Sequence, residues 1–145
     1  MKYFNILVTC AGGDLSPYLI NFLKNDSKHK DLKVIAIDYK ANAIGKYFSD
    51  FFEEVPKGDS INYIKKIKKI IKKYKVNLII PGSDEEAINL AKNRVLIEKK
   101  YTQLACIDYK NLKILSSKSD TYEALEKKGF KLPNWQSAQN QKQFI

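Results

Sequence analysis

Short apolar runs alternate with helical stretches along this chain, and the alternation restricts the fold more than any other feature of the sequence. Each run is almost continuously apolar, as is typical of parallel strands buried on both faces. Four clear runs lie at residues 3–9, 33–38, 76–81 and 103–107, and residues 51–56 form a shorter one. This order predicts a three-layer α/β domain, in which a mostly parallel sheet lies between two layers of helices.

The clearest helix begins near Ser60 and carries one apolar stripe, with lysines on its other face. The stripe consists of Ile61, Ile64, Ile67, Ile70, Ile71 and Tyr74. A basic amphipathic helix can lie on a membrane or bind a partner. Because an apolar run follows at once, we expect instead a surface helix that packs on the sheet.

Four further helices are predicted from capping residues and apolar periodicity. Serine or aspartate at a helix start accepts hydrogen bonds from unpaired amides, and proline is tolerated at the first position. The expected helices are one capped by Ser16 and begun by Pro17, one capped by Ser83 or Asp84 and running to about Lys100, one from Asp108 to Leu115, and one from about Lys118 to Lys128. Gly129 follows the last of them, as a helix-terminating glycine would.

The charge of the chain does not by itself indicate nucleic-acid binding. There are 26 lysine and arginine residues against 16 acids, so the net charge is +10. Arg94 is the only arginine, whereas proteins that bind bases and phosphates favour the planar arginine fork. We therefore expect no nucleic-acid partner and attribute the charge to a lysine-rich composition.

The sequence contains few residues from which a membrane span, a metal site or a catalytic triad could be formed. No apolar run reaches the roughly 18 residues needed to span a bilayer, and no signal-peptide pattern is present, so we expect a cytoplasmic protein. Cys10 and Cys106 are the only cysteines and are interpreted as reduced core residues. His29 is the only histidine and lies in a polar connection. No catalytic triad and no metal site is predicted from this set.

Residues 7–23 combine an apolar run, a glycine turn and a helical pattern, which is how many nucleotide-binding folds begin. The dinucleotide fingerprint G-x-G-x-x-G needs glycines two and five places after the first. Counted from Gly12, those places hold Asp14 and Pro17, and a carboxylate at Asp14 would repel a pyrophosphate. Asp38 could imitate the acid that binds a ribose. We interpret the glycines as a tight strand-to-helix turn.

Three stretches taken together carry a family resemblance: NILVTCAGGDLSPYLINFLK, VNLIIPGSDEEAINLAKNRVLIEK and SSKSDTYEALEKKGFKLPNW. They place a glycine turn after the first strand, a proline followed by acids after the fourth, and the passage Ser117-Lys118, Leu125, Gly129-Phe130 and Pro133 near the end. In this order and spacing they resemble the N-terminal, pre-ATP-grasp domain of ATP-grasp ligases, closest to the carbamoyl phosphate synthase large-chain-like group. Ser117 stands where that family usually has aspartate.

The resemblance implies a Rossmann-like domain at residues 1–116, followed at 117–145 by a linking helix and the truncated start of an ATP-grasp domain. The parent enzyme would use ATP and Mg²⁺ to activate a carboxylate and join it to an amine or another nucleophile. In the family, nucleotide and metals are held by later segments. We therefore expect no catalytic residue, metal site or cofactor in this fragment, which should be inactive alone.

The implied partners are a C-terminal ATP-grasp domain, in the same or a separate chain, and a small-molecule substrate. An exposed apolar patch is expected where the ATP-grasp domain would dock. A homodimer is also compatible with the resemblance.

Ligands in parallel α/β sheets bind beyond the carboxyl ends of the strands. This position and the resemblance together select Gly12, Gly13, Asp14, Asp38, Ser83, Asp84 and Glu85 for the substrate. Amides of Gly12, Gly13 and Ser83 could bind an anion, and Asp84 or Glu85 could bind an amine. Asp84 could instead cap a helix, and Asp38 could instead hydrogen-bond neighbouring turns. Lys118 could point toward nucleotide phosphates in the intact enzyme, or be solvated.

Two other functions stay open from the residues alone. A Rossmann protein that binds a nucleotide or sugar nucleotide would need the third glycine, which is missing here, or an open pocket above the first strand. A non-enzymatic basic binding module would cluster lysines on one exposed face, and its binding would weaken steeply as salt rises.

Overall fold

A computed structural model describes residues 3–26, 28–29 and 31–136 of the 145-residue chain. Five parallel strands form one sheet in the order β3-β2-β1-β4-β5. The strands are β1 (Phe4–Val8), β2 (Leu32–Asp38), β3 (Phe51–Glu54), β4 (Leu78–Ile80) and β5 (Gln103–Leu104). The α/β fold class predicted from the alternation is confirmed, since every strand pair is parallel.

Within the described residues, six α-helices connect and follow the strands: α1 (Ser16–Asn21), α2 (Tyr63–Tyr74), α3 (Asp84–Lys92), α4 (Arg94–Ile97), α5 (Tyr109–Leu115) and α6 (Lys118–Glu126). A π-helical turn, Phe22–Asp26, extends α1, and a 3-10 turn, Ile44–Tyr47, precedes β3. No helix within the described ranges is long and apolar enough to cross a membrane.

Alternating side chains of the strands face two separate cores. Leu7 of β1 packs with side chains of α2, α3 and α4 on one face, among them Ile67 and Leu90. Ile6 and Val8, on either side of Leu7, pack with Ile20 of α1 on the other face. The sheet is therefore buried on both faces, which explains why its strands read as continuous apolar runs.

Three helix boundaries differ from those expected. Ser16 is the first residue of α1, not its cap, because its hydroxyl donates instead to the carbonyl of Thr9, 3.1 Å away. The helix predicted to run to Lys100 is interrupted at Asn93, whose side-chain amide donates to the carbonyl of Asn89. The helix expected from Ser60 begins only at Tyr63, and Ile61 is 96% exposed, outside the buried stripe.

The last strand is shorter than predicted: β5 ends at Leu104 and not at Ile107. The Cys106 amide donates to the Leu104 carbonyl at 2.9 Å, which makes a tight turn at this point. The guanidinium of Arg94 donates to the carbonyl oxygens of Leu104, Cys106 and Ile107 and so holds the chain that leaves the strand. The only arginine of the chain thus has a structural role.

The chain divides into two compact units between Tyr109 and Lys110. The first holds the sheet, and the second contains α6, whose amino end is capped by Ser117 and whose carboxyl end is followed by Gly129 at φ +78°. The predicted helix and its terminating glycine are confirmed. The domain boundary expected at residues 116 and 117 stays a prediction, and residues 137–145 lie outside the described ranges.

Candidate functional site

The strand order reverses between β1 and β4, and ligands bind at such a point, beyond the carboxyl ends of the strands. A pocket of about 390 Å³ lies there. We call it the acidic pocket; it is lined by Cys10, Asp38, Tyr39, Lys57, Gly58, Asp59, Ser83, Glu85 and Glu86. Three residues that the sequence selected for the substrate, Asp38, Ser83 and Glu85, are therefore brought together.

The turn after β1 is tight because Cys10 adopts a left-handed conformation, with φ +52°. The amide of Gly13 donates to the carbonyl of Cys10 at 2.9 Å, and a Cβ on Gly13 would lie 2.8 Å from the Cys10 sulfur. Cys10 is half-buried at the acidic pocket, so it is not the core residue that we expected. Burial, followed by the nearby Glu86 charge, raises the pKa of its thiol.

Asp38 fastens this turn to the end of β2. Its carboxylate is 3% exposed and accepts hydrogen bonds from the amides of Gly12 and Lys40, both at 2.8 Å. The geometry therefore favours the alternative in which Asp38 bonds neighbouring turns. Since the amides of Gly12 and Gly13 both have backbone or side-chain partners, an anion could reach them only by displacing these bonds.

Glu86 forms the floor of the acidic pocket and is 6% exposed. Its two carboxylate oxygens accept hydrogen bonds from the hydroxyls of Thr9 at 2.6 Å, Tyr63 at 3.0 Å and Ser83 at 3.2 Å. No described lysine or arginine forms an ion pair with it. Burial is the main reason why the pKa of Glu86 is raised, although the three hydroxyls act in the opposite direction.

The loop before α2 packs tightly over Glu86. A Cβ on Gly58 would lie 2.6 Å from Cγ of Glu86, and the Asn89 side chain donates to the Gly58 carbonyl at 2.6 Å. On the opposite side, the Gly82 amide donates to the Thr9 hydroxyl at 3.0 Å. A Cβ on Gly82 would lie 2.3 Å from the Thr9 carbonyl oxygen, so only glycine fits there. The carboxylate is consequently held in one position.

Glu86 was not among the residues predicted from the sequence, although two signals pointed to it. Ser83 and Glu86 have the spacing of a capping box, in which both side chains meet at the first turn of a helix. Glu86 also lies at helical spacing from Leu90, on the face that enters the core. An acid on the apolar face of a helix is unusual because burial of its charge is costly.

Four of the residues that the sequence selected for the substrate do not line the acidic pocket: Gly12, Gly13, Asp14 and Asp84. Ser83 caps α3, as one of our alternatives stated, because its hydroxyl accepts from the Glu86 amide at 3.4 Å. Asp84 is exposed on the first turn and outside the pocket lining. Asp14 lies beside Gly12 and Gly13 in a neighbouring pocket of about 460 Å³.

That neighbouring pocket opens onto an exposed apolar surface formed by α1 and the 3-10 turn. Tyr18, Ile44 and Phe48 line the pocket and are 76%, 55% and 39% exposed. Leu15 and Tyr47, from the same part of the chain, are 81% and 75% exposed. A surface of this kind matches the apolar patch expected for a docking domain.

Lys118 belongs to the second unit, where it is the exposed first residue of α6. Ser117 accepts a hydrogen bond from the amide of Asp120 at 3.3 Å and so caps the helix in place of the family's aspartate. The proposed contact of Lys118 with nucleotide phosphates stays a prediction. Among the residues that the structure describes, no group of three histidine, cysteine or acidic side chains is arranged to hold a metal ion.

Four carboxyl groups and one lysine line the acidic pocket, which gives it the opposite sign from the chain as a whole. The acids are Asp38, Asp59, Glu85 and Glu86, and the lysine is Lys57. Carboxylates that are partly desolvated attract an ammonium group and repel a phosphate. The arrangement therefore suits a cationic or amine-bearing ligand.

Comparisons with known proteins agree with this architecture. Residues 6–105 match the family described as PylC-like, N-terminal domain. Similar solved structures include the N5-carboxyaminoimidazole synthetases of Staphylococcus aureus (17% identity, TM-score 0.68) and Thermotoga maritima (15% identity, TM-score 0.60), each with 99% of this chain and 35% of that chain covered.

The biotin carboxylase domain of the 2-oxoglutarate carboxylase from Hydrogenobacter thermophilus is also similar, with 15% identity, a TM-score of 0.61, and coverage of 89% of this chain and 28% of that one. It was solved as a dimer with MgADP, ADP and bicarbonate, and the S. aureus synthetase was also solved with ADP. The dTDP-glucose 4,6-dehydratase of Bacillus anthracis, complexed with NAD, has a TM-score of 0.52 at 14% identity, over 70% of this chain and 36% of that one. This chain thus spans about a third of each structure. Curated proteins give no significant match.

Proposed function

The chain belongs to the PylC-like N-terminal domain family, and from this membership we propose that it is the substrate-side domain of an ATP-dependent carboxylate–amine ligase. The membership confirms the resemblance to N-terminal domains of ATP-grasp ligases. The narrower assignment to the carbamoyl phosphate synthase-like group stays a prediction. The parent is proposed to be cytoplasmic and compatible with a homodimer.

The observation that carries this proposal is the buried, cation-free carboxylate of Glu86 at the floor of an acidic pocket. An ammonium group placed there would replace the missing positive charge and would gain a strong, charge-assisted hydrogen bond. Asp38 and Glu85 line the same pocket and add to the negative potential. The proposed acceptor is therefore an amine, bound at the carboxyl ends of β1 and β4.

Glu86 is also suited to move a proton. An amine is a nucleophile only after its ammonium form has lost a proton, and a base for this step works best when its pKa is close to the working pH. Burial shifts the pKa of Glu86 in that direction. Glu86 would thus both orient the acceptor and accept its proton.

ATP and Mg²⁺ would supply the activation of the carboxylate in the parent enzyme. The acidic pocket does not fit them, because its four carboxyl groups would repel phosphates and no described residues form a metal cluster. In this proposal they are held by a C-terminal ATP-grasp domain, in the same or a separate chain. In this proposal residues 1–145 do not catalyse the reaction without that domain.

The experiment is an ATP-hydrolysis assay on the product of the complete gene, with Mg²⁺ and a panel of amino acids as paired carboxylates and amines. ADP release that depends on an amine is expected. Glu86→Gln should reduce kcat/KM for the amine at least tenfold, whereas Asp84→Asn, outside the pocket lining, should change it less than twofold. Release of ADP that no amine stimulates would contradict the proposal.

A nucleotide-binding Rossmann protein is the second candidate, favoured by the fold similarity to the NAD-complexed dehydratase. In such a protein the acid after the second strand binds ribose and the glycine-turn amides face the pyrophosphate. Here Asp38 bonds the Gly12 amide, so both partners are occupied by each other. NAD titrated into the chain should leave the amide signals of the Gly12 turn unchanged if the ligase proposal holds.

A further inference from the structure

A further cavity lies at the edge of the sheet where the strands begin, opposite the acidic pocket. Its volume is about 840 Å³, and we call it the amino-edge cavity. Asn5 of β1 and Lys33 of β2 line it near the starts of their strands, and Asn77 and Thr102 line it just before β4 and β5. The end of α2 closes one side. The volume falls in the range of about 300–1,000 Å³ that small-molecule sites occupy.

The lining of the amino-edge cavity is basic, whereas the other edge is acidic. Five lysines contribute to it and no aspartate or glutamate does: Lys33, Lys73, Lys75, Lys99 and Lys100. Lys33 and Lys73 are already paired, with Asp50 and Glu53 respectively. Lys75, Lys99 and Lys100 form no ion pair with any described residue, although the Lys99 ammonium donates to the Val95 carbonyl at 3.5 Å. Lys75 and Lys100 are therefore the cations available to an anion.

Aromatic rings stand beside the lysines. Phe51 and Tyr74 pack with their ring centroids 5.0 Å apart, and Tyr3 and Tyr101 line the same cavity. The amino group of Lys100 lies 5.3 Å from the centroid of the Tyr101 ring. A ligand with a flat ring could stack on these side chains, which are sequence-distant but share one cavity. Rings and cations together select a ligand that is both flat and negatively charged.

The walls of the cavity are held by hydrogen bonds before any ligand arrives. The Asn5 amide donates to the Asn77 side chain at 2.9 Å, and the Asn5 side chain donates to the Tyr74 carbonyl at 2.7 Å. Lys99 and Thr102 close a tight turn through two backbone bonds, of 3.3 and 3.1 Å, which fixes the backbone position of Lys100. A site built in this way loses little backbone entropy on binding, and the ordering cost falls mainly on the exposed lysine side chains.

We propose that the amino-edge cavity binds a small organic anion that carries a flat aromatic ring. Lys75 and Lys100 are the cations that hold the anionic group, and the ring packs against Tyr74 and Tyr101. Nucleotides and simple aromatic phosphates or carboxylates share this chemistry. The site is separate from the acidic pocket, and its occupancy does not depend on the ligase activity.

The test is a titration of the isotopically labelled 145-residue chain, followed by the backbone amide signals in NMR spectra. The probes are phenyl phosphate, AMP and inorganic phosphate. Phenyl phosphate should shift the amides of residues 75–77 and 99–102, and should bind at least tenfold more tightly than inorganic phosphate. Tighter binding of AMP than of phenyl phosphate identifies a nucleotide as the ligand, and equal binding identifies a simple aromatic anion.

A charge-matched pair of variants separates a site from general attraction to a basic protein. Lys75→Gln with Lys100→Gln should weaken binding of phenyl phosphate at least tenfold. Lys68→Gln with Lys72→Gln removes the same charge from the exposed face of α2, outside the cavity lining, and should change it less than twofold. Equal losses in both variants, shifts confined to the acidic pocket, or equal affinity for inorganic phosphate would each overturn the proposal. The spectra report at the same time whether each variant is folded.

Discussion

Glu86 is a single residue whose titration should be visible in the stability of the whole domain. Its pKa is raised in the folded chain, above the ordinary value of 4.5, chiefly by burial. A raised pKa in a carboxyl group means that the folded state binds the proton more tightly than the unfolded state does. The stability contributed by this group is therefore complete below about pH 4.5 and is lost as the pH rises through the folded pKa.

Replacement of Glu86 by glutamine removes the titrating group but keeps its size. We expect the free energy of unfolding of Glu86→Gln, relative to that of the unsubstituted 145-residue chain, to increase as the pH is raised from 4 to 8. The gain should exceed the roughly 0.5 kcal/mol that surface substitutions give. Urea unfolding followed by circular dichroism at several pH values measures it.

Glu85→Gln is the matched control, because Glu85 is an exposed neighbour on the first turn of the same helix. Loss of an acid at a helix amino end should destabilise slightly, by about 0.3–1 kcal/mol. At pH 8, the free energy of unfolding should therefore rise in Glu86→Gln and fall slightly in Glu85→Gln. A parallel response of both, or a constant offset of Glu86→Gln at every pH, would show that the carboxyl is not titrating as described.

The sequence predicts some residues of the site but not the one that carries its charge. Ser83 was recognisable as a helix cap, and Asp38 as a strand-end acid with a structural alternative, because both roles follow from local position. Glu86 depends on Thr9 and Tyr63, which are distant in sequence and meet it only in the folded chain. The conformation of Cys10 was also not predictable, since a positive φ is rare outside glycine.

At the level of elements, an ion-pair network fastens β3 to α2. Glu53 accepts hydrogen bonds from Lys66 at 2.8 Å, Lys73 at 2.5 Å and the Tyr74 hydroxyl at 3.0 Å. The hydrogen bonds from the two lysines are the largest of the effects that lower the pKa of Glu53 from 4.5 to about 2. Because the pKa of Glu53 is lower in the folded chain, its ionised carboxylate stabilises the fold at pH values above the ordinary pKa of 4.5. This contribution is lost as the pH falls toward 2.

Glu53→Gln should therefore lower the free energy of unfolding at pH 7 by about 1–2 kcal/mol, allowing for solvent screening of the partly exposed lysines. The difference in the free energy of unfolding between Glu53→Gln and the unsubstituted chain should shrink below pH 4.5 and also in 1 M salt. Chemical unfolding of both chains at pH 7 and pH 3.5 measures it. Glu54→Gln, the exposed neighbour in β3, is the control and should have little effect; an equal loss there would contradict the network.

Helices and strands could be predicted from the sequence where a single periodic pattern of apolar residues determines them. The stripe of α2 and the apolar strands were found because their periodicity reports the packing directly. The interruption at Asn93 carries no glycine or proline to signal it, and it is accompanied by hydrogen bonds from the Asn93 side chain back to Asn89. The early end of β5 coincides with a tight turn at Leu104 and with contacts from Arg94, which is distant enough in sequence for local patterns to miss.

For the whole molecule, the sheet unit should fold without the residues that follow it. Every residue of the two core clusters lies at or before Cys106, and the Arg94 contacts also end at Ile107. We expect a chain of residues 1–109 to keep the amide shifts of β1 to β5 and to unfold cooperatively. NMR spectra and urea unfolding of this chain, beside the complete 145 residues, test it. Loss of dispersed amide signals on truncation would show that the sheet depends on the later segment.

The two edges of the sheet carry charges of opposite sign. They lie far enough apart for the exposed charges of one edge to have little effect on ligand binding at the other. β1 is five residues long, which places its ends about 17 Å apart. At physiological ionic strength the field of an exposed charge decays over about 8 Å in solution, so the exposed charges of one edge have little effect at the other. The overall charge of +10 therefore describes neither. If both proposed sites are correct, a cation binds at one end of the domain and an anion at the other, and a change of charge at one site should have little effect on the affinity of the other.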